Sequence, residues 1–302
     1  MSTTEQGGTA GTAAEVDAVY LRRWELPAPG ASKQSRGDVV VVGGAERSPG
    51  AALLAGRASL RVGAGRLTLA VGEASATAVA VALPECGIVP LAENADGAVR
   101  GRSVTAAAAD VGGADAVLVG PGLDDIGETK RMLTTLSGVV SRDATLVLDA
   151  YALGALAVTG RKVLRGFGRG ARILTPNLDE AALLLGRPLD DQPADLLRIA
   201  RRYHAVVTCH GWIADPDGTL LHVRDGGPGL GTSGSGDALA GAIAGLAARG
   251  CGPLQAAAWG TYLHAAAGES LARDVAALGF LASEIVERLP RELAAVEDRT
   301  GE

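Results

Sequence analysis

A glycine-rich loop followed by an aspartate carries the clearest chemistry in the sequence. Residues 229–237 read Gly-Leu-Gly-Thr-Ser-Gly-Ser-Gly-Asp, and residues 238–245 continue as an apolar run that predicts a helix. Glycine and small hydroxyl residues leave backbone N–H groups open to an anion, and a helix N-terminus adds partial positive charge at the same place. Asp237 stands at that helix start, where a carboxylate can take a proton from a hydroxyl that attacks a bound phosphate. The loop therefore predicts phosphate chemistry.

Short apolar runs alternate with amphipathic stretches before this loop. The predicted strands are Val39–Val42, Leu67–Val71, Ala116–Val119, Leu146–Leu148 and Ile173–Thr175, and the predicted helices include Gly50–Arg61, Glu128–Val139 and Asp179–Leu185. Apolar strands separated by helices indicate an α/β fold with a mostly parallel central sheet and helices on both faces. Such sheets bind ligands beyond the carboxyl ends of their strands, so these ends are expected to line one crevice with the glycine loop. The ends are Gly43-Gly44, Gly120-Pro121-Gly122, Asp149 and Pro176.

The pattern changes between residues 205 and 223. Here the sequence predicts a hairpin of two strands with a turn at residues 215–218, which read Asp-Pro-Asp-Gly. After Gly234 the chain is predicted to be helical almost to its end, including Leu254–Arg273 and Leu281–Leu289. No internal repeat or long linker interrupts this order, so residues 15–302 are predicted to form a single domain.

Composition excludes several classes of function. The chain has 302 residues, 47% of them apolar, and a net charge of −6 with scattered basic residues, which predicts no nucleic-acid partner. The uncharged segment Gly250–Gly268 contains Pro253, Gln255 and His264 and is too polar to be a membrane span. Three widely spaced cysteines fit neither a disulfide framework nor a zinc site, so a cytoplasmic location is expected. Residues 1–14 lack the features of a signal peptide and are predicted to be a disordered tail.

A series of motifs, taken in order, resembles one known family over about residues 30 to 290. The matching segments are Val41 to Gly44 with Gly50-Ala51, Ala58 to Gly65, Val119 to Leu123, Leu148 to Leu153, Leu174 to Pro176, the glycine loop to Asp237, and Tyr262 to His264. Together they resemble the ADP- or ATP-dependent NAD(P)H-hydrate dehydratases of the ribokinase-like superfamily.

This resemblance implies a ribokinase-like domain that repairs a damaged nicotinamide cofactor. In that family ADP or ATP phosphorylates the 6-hydroxyl of hydrated NADH or NADPH, and loss of phosphate restores the reduced cofactor, with Mg²⁺ as helper ion. The resemblance assigns proton transfer to Asp237 and the anion hole to Gly234, Ser235 and Gly236. It places the substrate against Ala51, Gly122, Asn177 and Asp237, and the nucleotide against His210, Gly211 and Gly236.

The chain departs from the family in the segment after the fifth strand. The family has His and Gly in a Thr-Pro-His-Pro-Gly-Glu segment, whereas this chain has Asn177-Leu178-Asp179-Glu180. Asn177 can hydrogen-bond a substrate but cannot carry a proton as histidine can. Its Asn-x-x-Glu pattern resembles the magnesium-associated segment of ribokinase-like sugar and vitamin kinases, with Glu180 as the metal ligand. A small-molecule kinase is therefore the alternative function.

Two further departures affect the nucleotide and metal contacts. His210 occupies the position of a family lysine, in a loop that is shortened by two residues, which removes an assured cation from the nucleotide site. Tyr151 replaces a second aspartate two residues after Asp149, which leaves Asp149 as the remaining candidate metal ligand there. These losses motivate a third hypothesis, a nucleotide-binding protein without catalysis.

Two residues and the assembly allow more than one interpretation. Asp149 is expected to cap a helix over Ala150–Val158, to bind a ligand, or to do both. His264 lies among alanines, which favours a satisfied core or interface histidine over a catalytic one. Homo-oligomers are expected from the resemblance, and the helix over Leu254–Ala267 is predicted to be either their interface or part of the core.

Overall fold

Ten strands form one sheet in the part of the chain that the structure describes. The structure is a computed structural model and describes residues 13–28, 30–168, 170–224 and 226–298. The strands are β1 Ala14–Glu15, β2 Asp38–Val42, β3 Arg66–Gly72, β4 Gly87–Leu91, β5 Ala116–Val119, β6 Thr145–Leu148, β7 Arg172–Leu174, β8 Val206–Cys209, β9 Trp212–Ala214 and β10 Leu220–His222. Their order across the sheet is β1-β10-β9-β8-β7-β6-β5-β2-β3-β4.

The sheet is mostly parallel, as the sequence predicts. Only β9 runs against its neighbours, β8 and β10, while the other pairings between these strands are parallel. The carboxyl ends of β2, β5, β6, β7 and β8 therefore meet at one edge of the sheet. The loops that follow these five strands are placed to build a common site.

Helices cover both faces of the sheet. They are α1 Ala18–Arg23, α2 Pro49–Arg61, α3 Glu73–Ala82, α4 Ala108–Gly113, α5 Ile126–Leu136, α6 Tyr151–Thr159, α7 Leu178–Leu185, α8 Gln192–Tyr203, α9 Ser235–Ala248, α10 Pro253–Asp274 and α11 Ala282–Glu297, with 3₁₀ segments at Gln34–Arg36, Gly101–Ala107, Gly160–Phe167 and Pro228–Leu230. Alternate strand residues enter two buried apolar cores, one under α2, α9 and α10 and one under α5, α6 and α8. The predicted α/β fold is confirmed.

The predicted strands and helices agree with the observed ones to within a few residues, except that α11 continues to Glu297, eight residues beyond the predicted end at Leu289. The main other difference lies in the hairpin. The turn over residues 215–218 is present, with Asp215 N–H donating to the carbonyl of Thr219. The segment before it is two strands, β8 and β9, rather than one. They are joined at His210 and Gly211, whose positive φ angles of 45° and 79° form a two-residue turn that the sequence reading did not anticipate.

The predicted disordered tail, residues 1–14, extends too far, because Ala14 belongs to strand β1. Ala14 pairs with Leu221 in a parallel β1–β10 contact, and the N–H of Val16 donates to the carbonyl of His222 at 2.7 Å. Val16 is buried, so the pairing is reinforced by apolar contact. The rest of that prediction, residues 1–12, lies outside the described residues.

Strand β4 closes one edge of the sheet and was not recognised from the sequence. It reads Gly-Ile-Val-Pro-Leu and pairs with β3, with Pro90 opposite Val71. Proline cannot donate to a strand ladder and is tolerated in edge strands with its nitrogen on the solvent side. The same residue that makes the segment look like a turn thus fits its place at the edge.

Helices α2 and α9 pack backbone against backbone. A Cβ added at Gly241 of α9 would lie 2.0 Å from the carbonyl oxygen of Ala55, and one at Gly245 would lie 2.5 Å from that of Ser59. Residues four apart occupy the same face of a helix, so the preceding position on α2 is Ala51 and that on α9 is Asp237. The close packing brings together two residues that the sequence assigns to the site.

Helix α10 belongs to the core. Most of its central residues are buried, among them Trp259, Leu263 and Ala267. The core interpretation of this helix is therefore supported, and its use as an interface is not; self-association stays a prediction. Among the described residues, no helix has the length and the apolar character that crossing a membrane requires.

Candidate active site

The glycine loop ends where α9 begins. Gly234 precedes the helix with φ of +88°, a left-handed conformation that glycine adopts without steric cost. The N–H of Ser235 donates to the carbonyl of Thr232 at 3.2 Å. Among the described residues no acceptor is present for the N–H groups of Gly236 and Asp237, as expected in the first turn of a helix. These two amides are placed to bind an anion.

Ser235 holds the loop to helix α10. Its hydroxyl lies 2.8 Å from Nε2 of His264, and both side chains are buried. The backbone N–H of Ser235 already donates to the carbonyl of Thr232, and its part in the predicted anion hole stays a prediction. His264 is thus a satisfied core histidine, as predicted, and its partner Ser235 belongs to the glycine loop. The sequence signal was its place in the Tyr-Leu-His motif.

Asp237 is a partly buried carboxyl group in the first turn of α9. Burial raises its pKa from 3.8 to about 6. A carboxylate with a pKa near neutrality is a stronger proton acceptor than an ordinary aspartate and is still ionised at pH 7. This property suits the role that the sequence assigns to it.

Asp149 is buried at the carboxyl end of β6. Its Oδ1 accepts a hydrogen bond of 2.7 Å from the hydroxyl of Thr175, which follows β7. Its pKa is raised well above the ordinary value by burial, with further contributions from the negative charges of Asp237 and Glu180. The structure therefore brings the three carboxyl groups into electrostatic contact.

The helix-capping interpretation of Asp149 is wrong. Helix α6 starts at Tyr151 with Ala150 as its N-cap, and no side chain caps it. The reason is geometric, since Ala150 turns the chain with φ of 48° and ψ of −120°. The carboxylate of Asp149 is bonded to Thr175 instead, which leaves the ligand-binding interpretation.

The strained backbone conformation of Ala150 predicts that glycine at this position stabilises the protein. Its conformation is one that residues with a Cβ rarely adopt, at a cost of about 1–3 kcal/mol. We expect Ala150→Gly to raise the free energy of unfolding by about 1 kcal/mol, after allowance for the greater flexibility of unfolded glycine. Urea denaturation checks this, with Ala157→Gly inside α6 as the control, which should lose about 1 kcal/mol. Equal losses in both variants would contradict the strain.

Ala51 and Gly122 lie side by side. A Cβ added at Gly122 would be 3.1 Å from the Cβ of Ala51 and 3.2 Å from the Cα of Gly44. The loops after β2 and β5 are joined there, because Gly44 N–H donates to the carbonyl of Pro121 and Ala45 N–H to that of Gly122, both at 2.8 Å. The two predicted substrate contacts thus share one small surface.

That surface is connected to the glycine loop through α2. A Cβ added at Gly234 would lie 2.6 Å from Cδ1 of Leu54, one turn beyond Ala51. The loop before Asp237 therefore rests on the helix that carries Ala51. Helix α2 positions the predicted substrate contact relative to the predicted catalytic carboxylate.

Asn177 and Glu180 have a local structural role. Asn177 Oδ1 accepts from the N–H of Glu180, and Glu180 Oε2 accepts from the N–H of Asn177, each at 2.9 Å. This is a capping box at the start of α7. The Asn-x-x-Glu pattern that suggested a kinase is therefore accounted for by helix capping, which does not exclude ligand contacts of its outer atoms.

A cleft of about 600 Å³ opens beside the glycine loop. It brings together five predicted site residues, namely Asn177, His210, Gly211, Ser235 and Gly236. Apolar side chains of Leu230, Leu239 and Ala265 form part of its wall. Its size and mixed lining suit a nucleotide-sized ligand. Gly234, Asp237, Ala51, Gly122, Asp149 and Glu180 do not line this cleft.

A family model supplies the deciding comparison. The model described as NAD(P)H-hydrate dehydratase matches residues 39–291, which is most of the chain. The chain belongs to the NAD(P)H-hydrate dehydratase family. The matched range contains every predicted site residue, from Ala51 to Asp237.

Individual members of the family agree with this assignment. The ADP-dependent (S)-NAD(P)H-hydrate dehydratase of Xanthomonas campestris pv. campestris is 44% identical over 292 residues, covering 94% of this chain and 96% of that protein. The bifunctional NAD(P)H-hydrate repair enzyme Nnr of Moorella thermoacetica is 37% identical over 91% of this chain, which spans 53% of that longer protein. The structure of the Bacillus subtilis ADP/ATP-dependent NAD(P)H-hydrate dehydratase, co-crystallized with ATP/Mg²⁺, has a TM-score of 0.77 and 25% identity, covering 95% of this chain and 100% of that one.

Two of the residues expected to depart from the family pattern, His210 and Tyr151, have exposed side chains. His210 sits exposed in the tight β8–β9 turn, where the resemblance implied a lysine in a longer loop. Arg224, which follows β10, lines the same cleft and supplies a cation there. Sequence reasoning missed Arg224, because only the hairpin pairing brings it back beside His210. Tyr151, in the place of the second aspartate, is 40% exposed.

The carboxylates of this dehydratase-family site fit an Mg²⁺ ion that is also bound by the phosphates of a nucleotide. No group of three or more His, Cys, Asp or Glu side chains within the described ranges is arranged to bind a metal. Mg²⁺ typically binds through one or two carboxylates together with phosphate oxygens and water. Glu180 has one carboxylate oxygen outside its capping box, and buried Asp149 has neighbouring negative charges that a cation would offset. These two residues therefore fit an ion that arrives with a nucleotide.

Proposed function

We propose that this protein dehydrates hydrated NADH and NADPH at the expense of ADP. The observation that carries the proposal is the position of Asp237. This carboxyl group, with a pKa of about 6, follows an anion-binding helix start that opens on a nucleotide-sized cleft. The surface formed by Ala51 and Gly122 is connected to the same loop through α2. A phosphate donor and a hydroxyl acceptor can therefore approach one carboxylate from two sides.

The reaction starts with phosphate transfer. Asp237 accepts the proton of the ring 6-hydroxyl while the hydroxyl oxygen forms a bond to the terminal phosphorus of ADP, and the bond from that phosphorus to the bridging oxygen breaks to release AMP. The amides of Gly236 and Asp237 hold the transferred phosphoryl oxygens, where fixed donors stabilise developing charge. Arg224 contacts the nucleotide phosphates from the hairpin side.

The second step completes the dehydration. The bond from the ring carbon to the phosphate oxygen breaks, and phosphate leaves with the electron pair. The neighbouring ring carbon loses a proton to water, and the electron pair of that C–H bond forms the double bond of the reduced nicotinamide. The sum is conversion of hydrate and ADP into reduced cofactor, AMP, phosphate and a proton. Mg²⁺ held by Glu180, Asp149 and phosphate oxygens would neutralise the charge on the transferred group.

The test is an assay with purified protein, Mg²⁺, hydrated NADH or NADPH, and either ADP or ATP. We expect the near-ultraviolet absorbance of the reduced cofactor to appear together with equimolar phosphate. ADP should be the better donor, since the Xanthomonas relative is named as ADP-dependent. A stable phosphorylated sugar or vitamin alcohol, with no reduced cofactor, would instead establish the kinase alternative. Nucleotide binding without turnover of either substrate would establish the non-catalytic one.

The rate is expected to fall in acid. Only the ionised form of Asp237 accepts a proton, and burial sets its pKa at about 6. The kcat/KM for the hydrate should therefore be constant above that pH and fall about tenfold for each pH unit below it. Initial rates at saturating ADP check this. Calorimetric titration of ADP over the same range is the control, and an unchanged rate at pH about 5 would contradict the assignment.

We propose a cytoplasmic location. All three cysteines, Cys86, Cys209 and Cys251, are free. Cys209 lines the cleft, where burial and the charge of Glu180 raise its pKa to about 12, so its thiol stays neutral and does not act as a nucleophile. Unpaired buried thiols of this kind are typical of reducing compartments.

A further inference from the structure

A second cavity lies at the opposite end of β7 from the nucleotide cleft. It has a volume of about 540 Å³ and is lined by Arg161, Leu164, Arg165, Gly168, Arg172, Arg202, Tyr203 and His204. Arg172 is the first residue of β7, whereas Thr175 of the nucleotide cleft follows its last residue. The two sites are therefore separated by the length of a strand. We call this second cavity the arginine cavity.

The arginine cavity is strongly basic. Four of its lining residues are arginines, and no carboxylate lines it among the described residues. The segment 160–172 reads Gly-Arg-Lys-Val-Leu-Arg-Gly-Phe-Gly-Arg-Gly-Ala-Arg, with five basic residues and no acidic one, in a chain whose net charge is −6. This segment is therefore an exception to the scattered distribution of basic residues in the rest of the sequence.

Arg172 is buried without a counter-charge. It is 8% exposed, and its guanidinium donates to the backbone carbonyls of Leu164 and Gly168. Its Nε has no hydrogen-bond partner within the described residues. Burial lowers its pKa, with no contribution from a carboxylate. Buried charges are normally paired, because an unpaired one loses its hydration without compensation.

Two of the other arginines of the cavity are free to bind a ligand, and the third is held in place by the protein. Arg161 and Arg165 are exposed at the cavity rim, and no described carboxylate pairs with them. Arg202 is anchored, since it donates to the carbonyls of Leu184 and Leu185 and lies over the ring of Tyr203. Guanidinium groups match phosphate oxygens in pairs, and several together fit a ligand with more than one phosphate.

We propose that the arginine cavity binds a small molecule that carries a pyrophosphate group, either inorganic or within a nucleotide. Its volume falls in the range of small-molecule sites, and four guanidinium groups balance the charge of two linked phosphates. The buried guanidinium of Arg172 supplies the donor at the base of the cavity, and Arg161 and Arg165 close over the ligand from the rim.

Calorimetric titration of the whole protein with inorganic pyrophosphate tests the proposal. Arg161→Ala/Arg165→Ala removes two exposed arginines and should weaken binding at the cavity at least about tenfold. Arg102→Ala/Lys130→Ala, which removes two exposed charges elsewhere, is the matched control and should change it less than about twofold. Equal weakening in both double variants, or no binding by the wild type at about 1 mM, would overturn the site.

Parallel titration with ADP distinguishes the two sources of the group. If the natural ligand is a nucleotide, the wild type should bind two ADP molecules and the cavity variant one. If it is free polyphosphate, ADP binding should be unaffected and only pyrophosphate binding lost. Stronger binding of single-stranded RNA than of either compound would overturn the small-molecule assignment.

Arg172→Met gives an independent reading. If the arginine is kept for an anion, the variant should be at least as stable as the wild type without ligand and lose the rise in melting temperature with pyrophosphate. A variant that is destabilised while the wild type shows no pyrophosphate-dependent rise would overturn the proposal and leave Arg172 as a cap of the 3₁₀ segment Gly160–Phe167. The exposed double variant keeps the test valid if Arg172→Met does not fold.

Discussion

Replacing Asp237 by asparagine is expected to lower kcat for the hydrate by about 10²–10⁴-fold. The substitution keeps the size and the hydrogen-bonding shape of the side chain but removes its ability to accept a proton. The N–H groups of Gly236 and Asp237 are backbone groups and remain in place, so nucleotide affinity should change little. Single-turnover rates and calorimetric ADP titrations of the variant check the two parts separately.

The same variant should not lose stability. The pKa of Asp237 is raised in the folded protein, which means that folding disfavours its ionised form. The stability of the wild type therefore falls as pH rises through about 6, whereas asparagine has no such dependence. At pH 8 we expect the free energy of unfolding of Asp237→Asn to exceed that of the wild type by on the order of 1–2 kcal/mol. Its urea midpoint should accordingly be the same or higher.

Asp143→Asn is the matched control, since Asp143 is exposed and its carboxylate makes no hydrogen bond within the described residues. Its kcat and its stability should equal those of the wild type within error. If Asp237→Asn turned over the hydrate at a near wild-type rate, the role assigned to Asp237 would be refuted. A loss of activity that merely followed unfolding would contradict the predicted stability of the variant.

The second large effect is expected from Gly241→Ala. The new Cβ would lie 2.0 Å from the carbonyl oxygen of Ala55, so helices α2 and α9 would have to move apart by more than 1 Å. Both atoms are held by regular helix backbone and cannot move aside alone. We expect a loss of about 2 kcal/mol or more of unfolding free energy, despite the better helix propensity of alanine.

Activity should fall with the same substitution. Ala51 and Asp237 lie one turn before Ala55 and Gly241, so separation of the helices moves the substrate surface away from the carboxylate. A displacement of about 1 Å in a reacting geometry can cost on the order of 10²-fold in rate. Assays well below the melting temperature of the variant separate this loss from unfolding.

Gly113→Ala is the control, because a Cβ there meets nothing within 4 Å. It should leave kcat/KM unchanged and the unfolding free energy unchanged or up to about 1 kcal/mol higher, because alanine is the better helix former. A Gly241→Ala protein with wild-type stability and rate would show that the two helices are not held at the observed distance.

Local sequence signals were sufficient for the fold and for the glycine loop. Runs such as Val39–Val42 are apolar at every position because helices cover both faces of the sheet, and this pattern is readable without knowledge of the neighbours. The start of α9 was predictable for the same reason, since a run of glycines before an apolar helix is a local pattern.

Contacts between distant segments were beyond the sequence. The pairing of Ser235 with His264, the bond from Thr175 to Asp149 and the return of Arg224 beside His210 each depend on strand order. The sequence left two roles for Asp149. The strained backbone of Ala150 prevents capping, but an alanine gives no sign in the sequence that its backbone is strained. The arginine cavity was missed because its members come from two separate segments of the chain.

The edges of the sheet limit how copies of this chain can associate. One edge is the two-residue strand β1, and the other is β4 with Pro90. An additional strand needs a continuous row of free donors and acceptors, which neither edge offers within the residues that the structure describes. The protein is thereby protected against growth of its sheet from one molecule into the next. Any assembly that it forms should therefore use its helical layers.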